Sequence, residues 1–239
     1  YAEKLGITPE KMVVVSIMPC LAKKHEASRD EFAPNGVRDV DIVISTRELG
    51  NMIKEAGIQF DQLEDADYDD PLGESSGAGV IFGATGGVLE AALRTAADWV
   101  SGESLDDIDF EAVRGLTGIK EATVTIAGNE IKAAIASGLG NARALLESIR
   151  RGDGDYHAIE IMACPGGCIN GGGQPYLKGD TSILEKRCKA LYDIDGEKKI
   201  RKSHENPSIK RLYKEFLGEP GSKKAHELLH THYTERQNA

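Results

Sequence analysis

Residues 12–18 read Met-Val-Val-Val-Ser-Ile-Met, an apolar, β-branched run closed by Pro19. Such a run predicts a buried strand that delivers Cys20 to its C-terminal end. The polar stretch 22–31 reads as a loop or a helix start. Residues 40–45 form a second apolar run. Thr46 then looks like an N-cap, and Leu49, Met52 and Ile53 share one face of a helix over 47–56. Val88, Leu89, Ala92, Leu93 and Ala96 trace a helical stripe over 88–100. Residues 123–126 and 131–136 predict a strand pair around the turn Ala127-Gly128-Asn129. A helix over 141–151 follows, with Ala144, Leu145 and Ile149 as its apolar positions. A strand over 158–163 then runs straight into Cys164. Past Gly196 the chain turns to Lys, Glu and His, with helices expected at 209–217 and 225–233 around Gly218-Glu-Pro-Gly221.

Strands alternating with helices define an α/β protein of mostly parallel sheets flanked by helices. Ligands in such folds sit beyond the carboxyl ends of strands, where Cys20 and Cys164 both fall. No internal repeat is present. The length, 239 residues, suits one large domain or two lobes. Lys plus Arg number 29 against 39 Asp plus Glu, a formal charge of −10 without a basic block, which argues against nucleic-acid partners. No apolar run approaches a membrane span, and no signal-peptide pattern opens the chain. The first residue is Tyr1 rather than Met, the expectation for a fragment or a processed product. Four cysteines, Cys20, Cys164, Cys168 and Cys188, are too few to staple a chain of this size and point to metal or redox chemistry instead of disulfides.

Glycine sharpens this picture. Of 27 glycines, six fall in residues 73–87 and six in 166–179. In Cys164-Pro-Gly-Gly-Cys168, followed by Gly171-Gly-Gly-Gln-Pro175, the two thiols can reach one metal or cluster if the backbone between them turns tightly, which Gly166 and Gly167 permit. The later glycines let main-chain N–H groups approach an anionic inorganic ligand. A buried structural turn has little use for so many glycines. Zinc is the weaker metal reading, because no CxxC pair or nearby His completes the usual set. In Met18-Pro-Cys20-Leu-Ala-Lys23, the lysine could give a charge-assisted hydrogen bond to an anion near Cys20, although alone it reads as a solvent-facing side chain. The stretch 73–87 lacks a GxxxxGK[ST] pattern and a clean GxGxxG, so close approach of backbone to a cofactor fits better than nucleotide binding. The acidic run 64–70 reads as a solvated loop without calcium-site spacing. His226, His230 and His232 read as surface or tail-packing residues.

Together these stretches resemble the catalytic domain of [FeFe]-hydrogenases, the iron-only hydrogenases. Met18-Pro-Cys20-x-x-Lys23-x-x-Glu26 is similar to that family's second signature. Glu160-x-Met162-x-Cys164-Pro-x-Gly-Cys168-x-x-Gly171-Gly-Gly-Gln-Pro175 is similar to its third. Residues 76–94, with Phe82-Gly-Ala-Thr-Gly-Gly-Val, also resemble the family. So does the tail from Leu212 to His230, which looks like a small-subunit-type extension. The resemblance implies a large-subunit portion over 1–184, part of a two-lobed domain, and a helical small-subunit-like extension over 185–239. It also implies an H-cluster: a [4Fe–4S] cubane joined through a cysteine sulfur to a two-iron subsite carrying CO, cyanide and azadithiolate. By position, Cys20 and Cys164 would ligate the cubane and Cys168 would bridge it to the two-iron unit. Lys23 would hydrogen-bond an iron-bound cyanide, and Met18, Met162 and Phe82 would keep the subsite dry. The implied reaction is the reversible reduction of protons to dihydrogen.

The implied partners are ferredoxin or NAD(P)H-linked electron-transfer subunits, hydrogenase maturation proteins, and the upstream part of the same polypeptide. The implied location is cytoplasmic, although periplasmic members exist. One departure stands out. The family's Thr-Ser-Cys-Cys-Pro-type segment, which supplies the fourth cubane ligand and a proton-relay cysteine, is missing from these residues, and Cys188 does not obviously replace it. The expectation is a truncated sequence that is not a competent hydrogenase alone. Two other readings stay open: a non-catalytic iron–sulfur relative in cluster assembly or electron relay, and a hydrogen sensor.

Overall fold

β1 (Val15–Met18) and β2 (Ile42–Ser45) pair in parallel, in register from Val15 opposite Ile42 to Met18 opposite Ser45. They belong to a computed structural model that describes residues 1–66, 69 and 73–233. Asp67, Tyr68 and Asp70 of the acidic run lie outside the described residues. A helical turn, α1 (Ala2–Leu5), precedes β1, and α2 (Ala22–Glu26) lies on the crossover to β2. The first strand is shorter than its apolar run, and it is not buried. Val13, Val15, Ile17 and Ile42 are all exposed, because β1 and β2 pair only with each other among the described residues.

α3 (Thr46–Glu55) starts one residue earlier than expected, with Ser45 rather than Thr46 as its N-cap. The Ser45 hydroxyl accepts from the Glu48 N–H at 3.2 Å, while Glu48 accepts from the Ser45 N–H at 2.6 Å. This reciprocal pair needs Glu at the third helical position, which selects Ser45. The Ser45 N–H, with help from Lys24, holds the Glu48 carboxyl at about 2.

α4 (Gly77–Ile81) and α5 (Gly87–Ser101) carry the first glycine-rich stretch. β3 (Ile119–Ile126) and β4 (Asn129–Ser137) form an antiparallel hairpin longer than its sequence pattern indicated. Ala127 and Gly128 turn it with φ of 47° and 80°, the pair of positive angles that matches strand twist in a tight hairpin. β5 (Ala158–Met162) runs parallel to β4, giving the order β3-β4-β5. Two of the three strand pairings are therefore parallel, as the alternation of elements requires.

β4 is central, and its alternation divides the core. Ala133 and Ile135 pack with Leu89, Leu93 and Val113 under α5. Ala134 and Ala136 pack on the other face with Ala142 and Leu145 of α6 (Leu139–Arg150). Each such Leu, Ile or Val contributes about 1.5–3 kcal/mol on burial.

The buried side of α5 differs from the apolar stripe: Ala92 is exposed, whereas Glu90 and Arg94 are wholly buried. Arg94 grips Asp195 of α7 (Ser182–Glu197) with two 2.8 Å bonds and Glu90 with a third of 2.8 Å. Arg114 reaches Glu90 at 2.6 Å, and Arg201 reaches Asp195 at 2.6 Å. Asp109 joins the rim, where Arg201 and then Arg114 hold its carboxyl at about 2. Tyr192 donates to Glu90, and burial followed by that carboxylate pushes its hydroxyl well above the usual range. The tail continues through α8 (Pro207–Leu212), a π-type turn at Tyr213–Leu217, and α9 (Lys223–Leu229). α8 starts before its expected position because the Asn206 side chain caps the Ser208 and Ile209 N–H groups.

Candidate iron–sulfur site

β1 ends at Met18 and β5 at Met162, and both methionines are half-buried. Two residues beyond each lies a half-buried cysteine, Cys20 and Cys164. After Cys164 the chain reverses through Gly166 and Gly167, whose φ angles of 83° and 96° are strained for any residue with a Cβ. The Gly167 N–H bonds the Cys164 carbonyl at 3.0 Å, closing a turn that returns Cys168 toward its partner.

Backbone hydrogen bonds then join this loop to the other two stretches. The Gly173 N–H donates to the Pro19 carbonyl at 2.8 Å, beside Cys20. The Thr85 N–H donates to Gly166 at 3.1 Å, and the Ile169 N–H donates to Gly83 at 3.0 Å. Arg47 donates to the Gly172 carbonyl, while Arg187 of α7 donates to those of Ile169 and Pro175. The glycines make these approaches possible. A Cβ at Gly171 would lie 2.2 Å from the Pro19 carbonyl oxygen, and one at Gly167 would lie 2.7 Å from the Thr85 nitrogen. Gly171 has φ −61°, open to any residue, so its requirement is purely one of space. Gly171→Ala is accordingly expected to cost about 1–3 kcal/mol through overpacking. In the full-length protein, urea unfolding and iron content should both fall. An unchanged midpoint with full iron content would count against this cradle.

The Cys168 pKa is raised, first by burial and then by the charges of Cys20 and Cys164, while Lys23 pulls it down. The Gly173–Pro19 hydrogen bond holds the loop that follows Cys168 beside Cys20, three residues before Lys23. Lys23 forms a 2.5 Å ion pair with Glu26, one turn on in α2. An open cavity of about 540 Å3 beside Cys20 and Lys23 is walled by Glu26, Arg29 and Tyr233. Phe82 ends α4, directly before the Gly83 carbonyl that binds the cysteine loop, and its side chain remains 45% exposed. Cys188 lies within α7, where burial raises its pKa and the charges of Lys120 and Arg114 oppose the rise.

Glu160 is a residue whose role the motif alone did not disclose. It is buried on β5, and its two oxygens accept from the Gly86 and Leu89 N–H groups at 2.6 and 2.8 Å. It therefore caps the N-terminus of α5 with a carboxylate, satisfying donors that the helix itself leaves unpaired. The only sequence signal was its place in the motif, two residues before Met162. Elsewhere, Asp98, His204 and Glu205 approach one another, but Lys202 already occupies Asp98 at 2.8 Å, which makes the group an ion-pair cluster. His226 of α9 and His230, just past its end, meet edge to face.

An α/β scaffold that gathers three cysteines from two strand ends into a glycine cradle defines an iron–sulfur class of protein. The chain belongs to the iron-only hydrogenase family. A profile described as the iron-only hydrogenase large subunit, C-terminal domain, matches residues 1–172, and one described as the iron hydrogenase small subunit matches 181–236. The NADP-reducing hydrogenase subunit HndD of Solidesulfovibrio fructosivorans is 58% identical over 99% of this chain, which spans 40% of that protein's length. An apo [FeFe]-hydrogenase HydA1 variant from Chlamydomonas reinhardtii superposes with a TM-score of 0.80 at 45% identity, over 97% of this chain and 65% of that one. Protein NAR1 of Arabidopsis thaliana is a more distant relative, 33% identical over 97% of this chain and 52% of its own length. Among the described residues, no helix is long and apolar enough to cross a membrane.

Proposed function

We propose that this chain is the H-cluster-binding C-terminal part of an [FeFe]-hydrogenase that reversibly reduces protons to dihydrogen. The observation that carries this reading is the cradle: the loops carrying Cys20, Cys164 and Cys168 are hydrogen-bonded to one another where a Cβ at Gly167, Gly171 or Gly173 would collide with main chain. Thiolates are the ligands iron–sulfur clusters take, and the glycines leave main chain close to them, so the residues present fit the group. When bound, that group supplies the electron chemistry, 2H⁺ + 2e⁻ ⇌ H₂.

Cys20 and Cys164 would hold the cubane, and Cys168 would join it to the two-iron unit. The fourth cubane ligand would come from the remainder of the full-length protein. Lys23 has three donors, so it can keep Glu26 and still hydrogen-bond an iron-bound cyanide. Met18, Met162 and Phe82 would exclude water from the two-iron side. The division into a hydrogenase portion over 1–184 and an extension over 185–239 belongs to the same proposal. So do electron delivery by ferredoxin or an NAD(P)H-linked subunit, loading by maturation proteins, and a cytoplasmic location. The name of the HndD relative favours the NAD(P)H-linked route.

The test is infrared spectroscopy of the full-length protein after maturation. Bands of metal-bound CO and cyanide, with hydrogen evolution from a low-potential donor, are expected. A cubane without those bands would move the assignment toward the cluster-assembly reading, which fits the name of another relative, the cytosolic iron-sulfur assembly component 3 of Bos taurus. Bands without turnover would indicate a hydrogen sensor.

A further inference from the structure

Behind the cysteine loop lies a second charged group that the proposed chemistry does not use. Lys120 projects from β3 opposite the fully buried Ile135. Its ammonium donates to three main-chain carbonyls: Val113 at 2.8 Å, Gly115 at 2.8 Å and Thr85 at 3.3 Å. All three of its protons are engaged, and among the described residues no carboxylate pairs with it. A cation drawn out of water to bind only carbonyls is costly unless a charge nearby favours it. Burial indeed lowers the Lys120 pKa, and the Glu160 carboxylate opposes that shift.

The two charges flank one peptide. Glu160 accepts from the Gly86 N–H at 2.6 Å, while a Cβ at Gly86 would lie 3.2 Å from the Lys120 ammonium and 2.0 Å from the Val113 carbonyl oxygen. Lys120 binds the Thr85 carbonyl, and the N–H of the same residue binds Gly166 between Cys164 and Cys168. The segment 85–86 is thus clamped by a cation on one side and an anion on the other, and the Thr85 N–H holds the cysteine turn.

We propose that Lys120, opposed by Glu160, is a positioning residue that fixes the cysteine turn and sets the reduction potential of the iron–sulfur group held there. This rests on the function proposed above. Glu160 is buried and Lys120 half-buried, so both act through less intervening water than surface charges, and their signs decide the direction. A cation favours the more negative, reduced form and raises the potential; a carboxylate lowers it.

The experiment is a redox titration of the full-length protein carrying the [4Fe–4S] cluster alone, followed by electron paramagnetic resonance. At the parent's midpoint, Lys120→Gln should lower the ratio of reduced to oxidised cluster by about threefold or more, as expected for a lost half-buried charge. Glu160→Gln should raise the ratio, and Lys120→Arg, which keeps the charge, should restore the parent value. An unchanged ratio in Lys120→Gln overturns the inference, as does an equal shift in Lys120→Gln and Lys120→Arg, which would make Lys120 a packing residue. If Lys120→Gln does not fold, the rise in Glu160→Gln decides, and its absence overturns the inference. Iron and sulfide analysis of the parent comes first. A parent that binds no four-iron cluster sinks the proposed function at that separate step.

Discussion

Cys168→Ala in the full-length, matured protein is expected to remove the two-iron unit, with its CO and cyanide infrared bands, and to cut hydrogen evolution by more than about 100-fold. That figure is the upper end of what losing a mere supporting partner of a ligand costs, so loss of a bridging ligand should exceed it. The physical reason lies in the turn. Gly166 and Gly167 adopt angles that return residue 168 toward Cys164, and the Cys168 thiol feels the charges of both Cys20 and Cys164. No other side chain in the loop offers sulfur at that point. Cys188→Ala is the control. Cys188 sits on α7 beside the charges of Lys120 and Arg114, and its loss should leave iron content unchanged. Full activity in Cys168→Ala, or iron loss in Cys188→Ala, would show that the wrong sulfur has been assigned.

Arg94→Met is expected to lower stability by about 3–5 kcal/mol, the range measured when one partner of a buried ion pair is removed. Net stabilities of about 5–15 kcal/mol make that a severe loss. Arg94 is fully buried and makes two 2.8 Å bonds to Asp195 and one to Glu90, and both carboxylates are themselves fully buried. Arg114 and Arg201 remain to neutralise them in part, so the protein should still fold at low temperature. Arg94→Lys should recover only part of the loss, because an ammonium cannot reproduce the two parallel bonds. The effect should reach the site. α7 carries both Asp195 and Arg187, and Arg187 holds the carbonyls of Ile169 and Pro175 on either side of the glycine run. Urea unfolding and iron content of the full-length protein measure the two effects. A stability within about 1 kcal/mol of the parent, the size of an ordinary substitution, would show that the network is dispensable.

Much of the fold was legible locally. β-branched runs gave β1, β2 and β5, and helical spacing gave α3, α5 and α6, each with shifted ends. The ends moved where a cap depended on a particular side chain, as with Glu48 selecting Ser45 over Thr46. The expected burial of β1 failed because exposure depends on what covers a strand, and an apolar run cannot report its neighbours. The stripe on α5 held at Leu89 and Leu93, which are core, and missed at Ala92, which is exposed, for a similar reason. Glu90 and Arg94 look like a solvated i, i+4 pair, and distant partners, Asp195 for Arg94 and Arg114 for Glu90, make their burial possible.

The sequence by itself determined which chemistry could be present. Three cysteines, a lysine three residues past one of them, and glycines concentrated in two stretches required backbone to crowd a soft-metal ligand. Those residues also marked the family. Tertiary structure alone decided that the two stretches and residues 18–20 meet at one place, and that a carboxylate and an ammonium flank the peptide holding the cysteine turn. Glu160, Lys120 and Gly86 are separated by tens of residues and share no period, so no local pattern could connect them. Hydrogen bonds to main-chain N–H and carbonyl groups leave no mark on the identity of the residues that provide them, which is why the frame around the cysteines was invisible until the chain was folded.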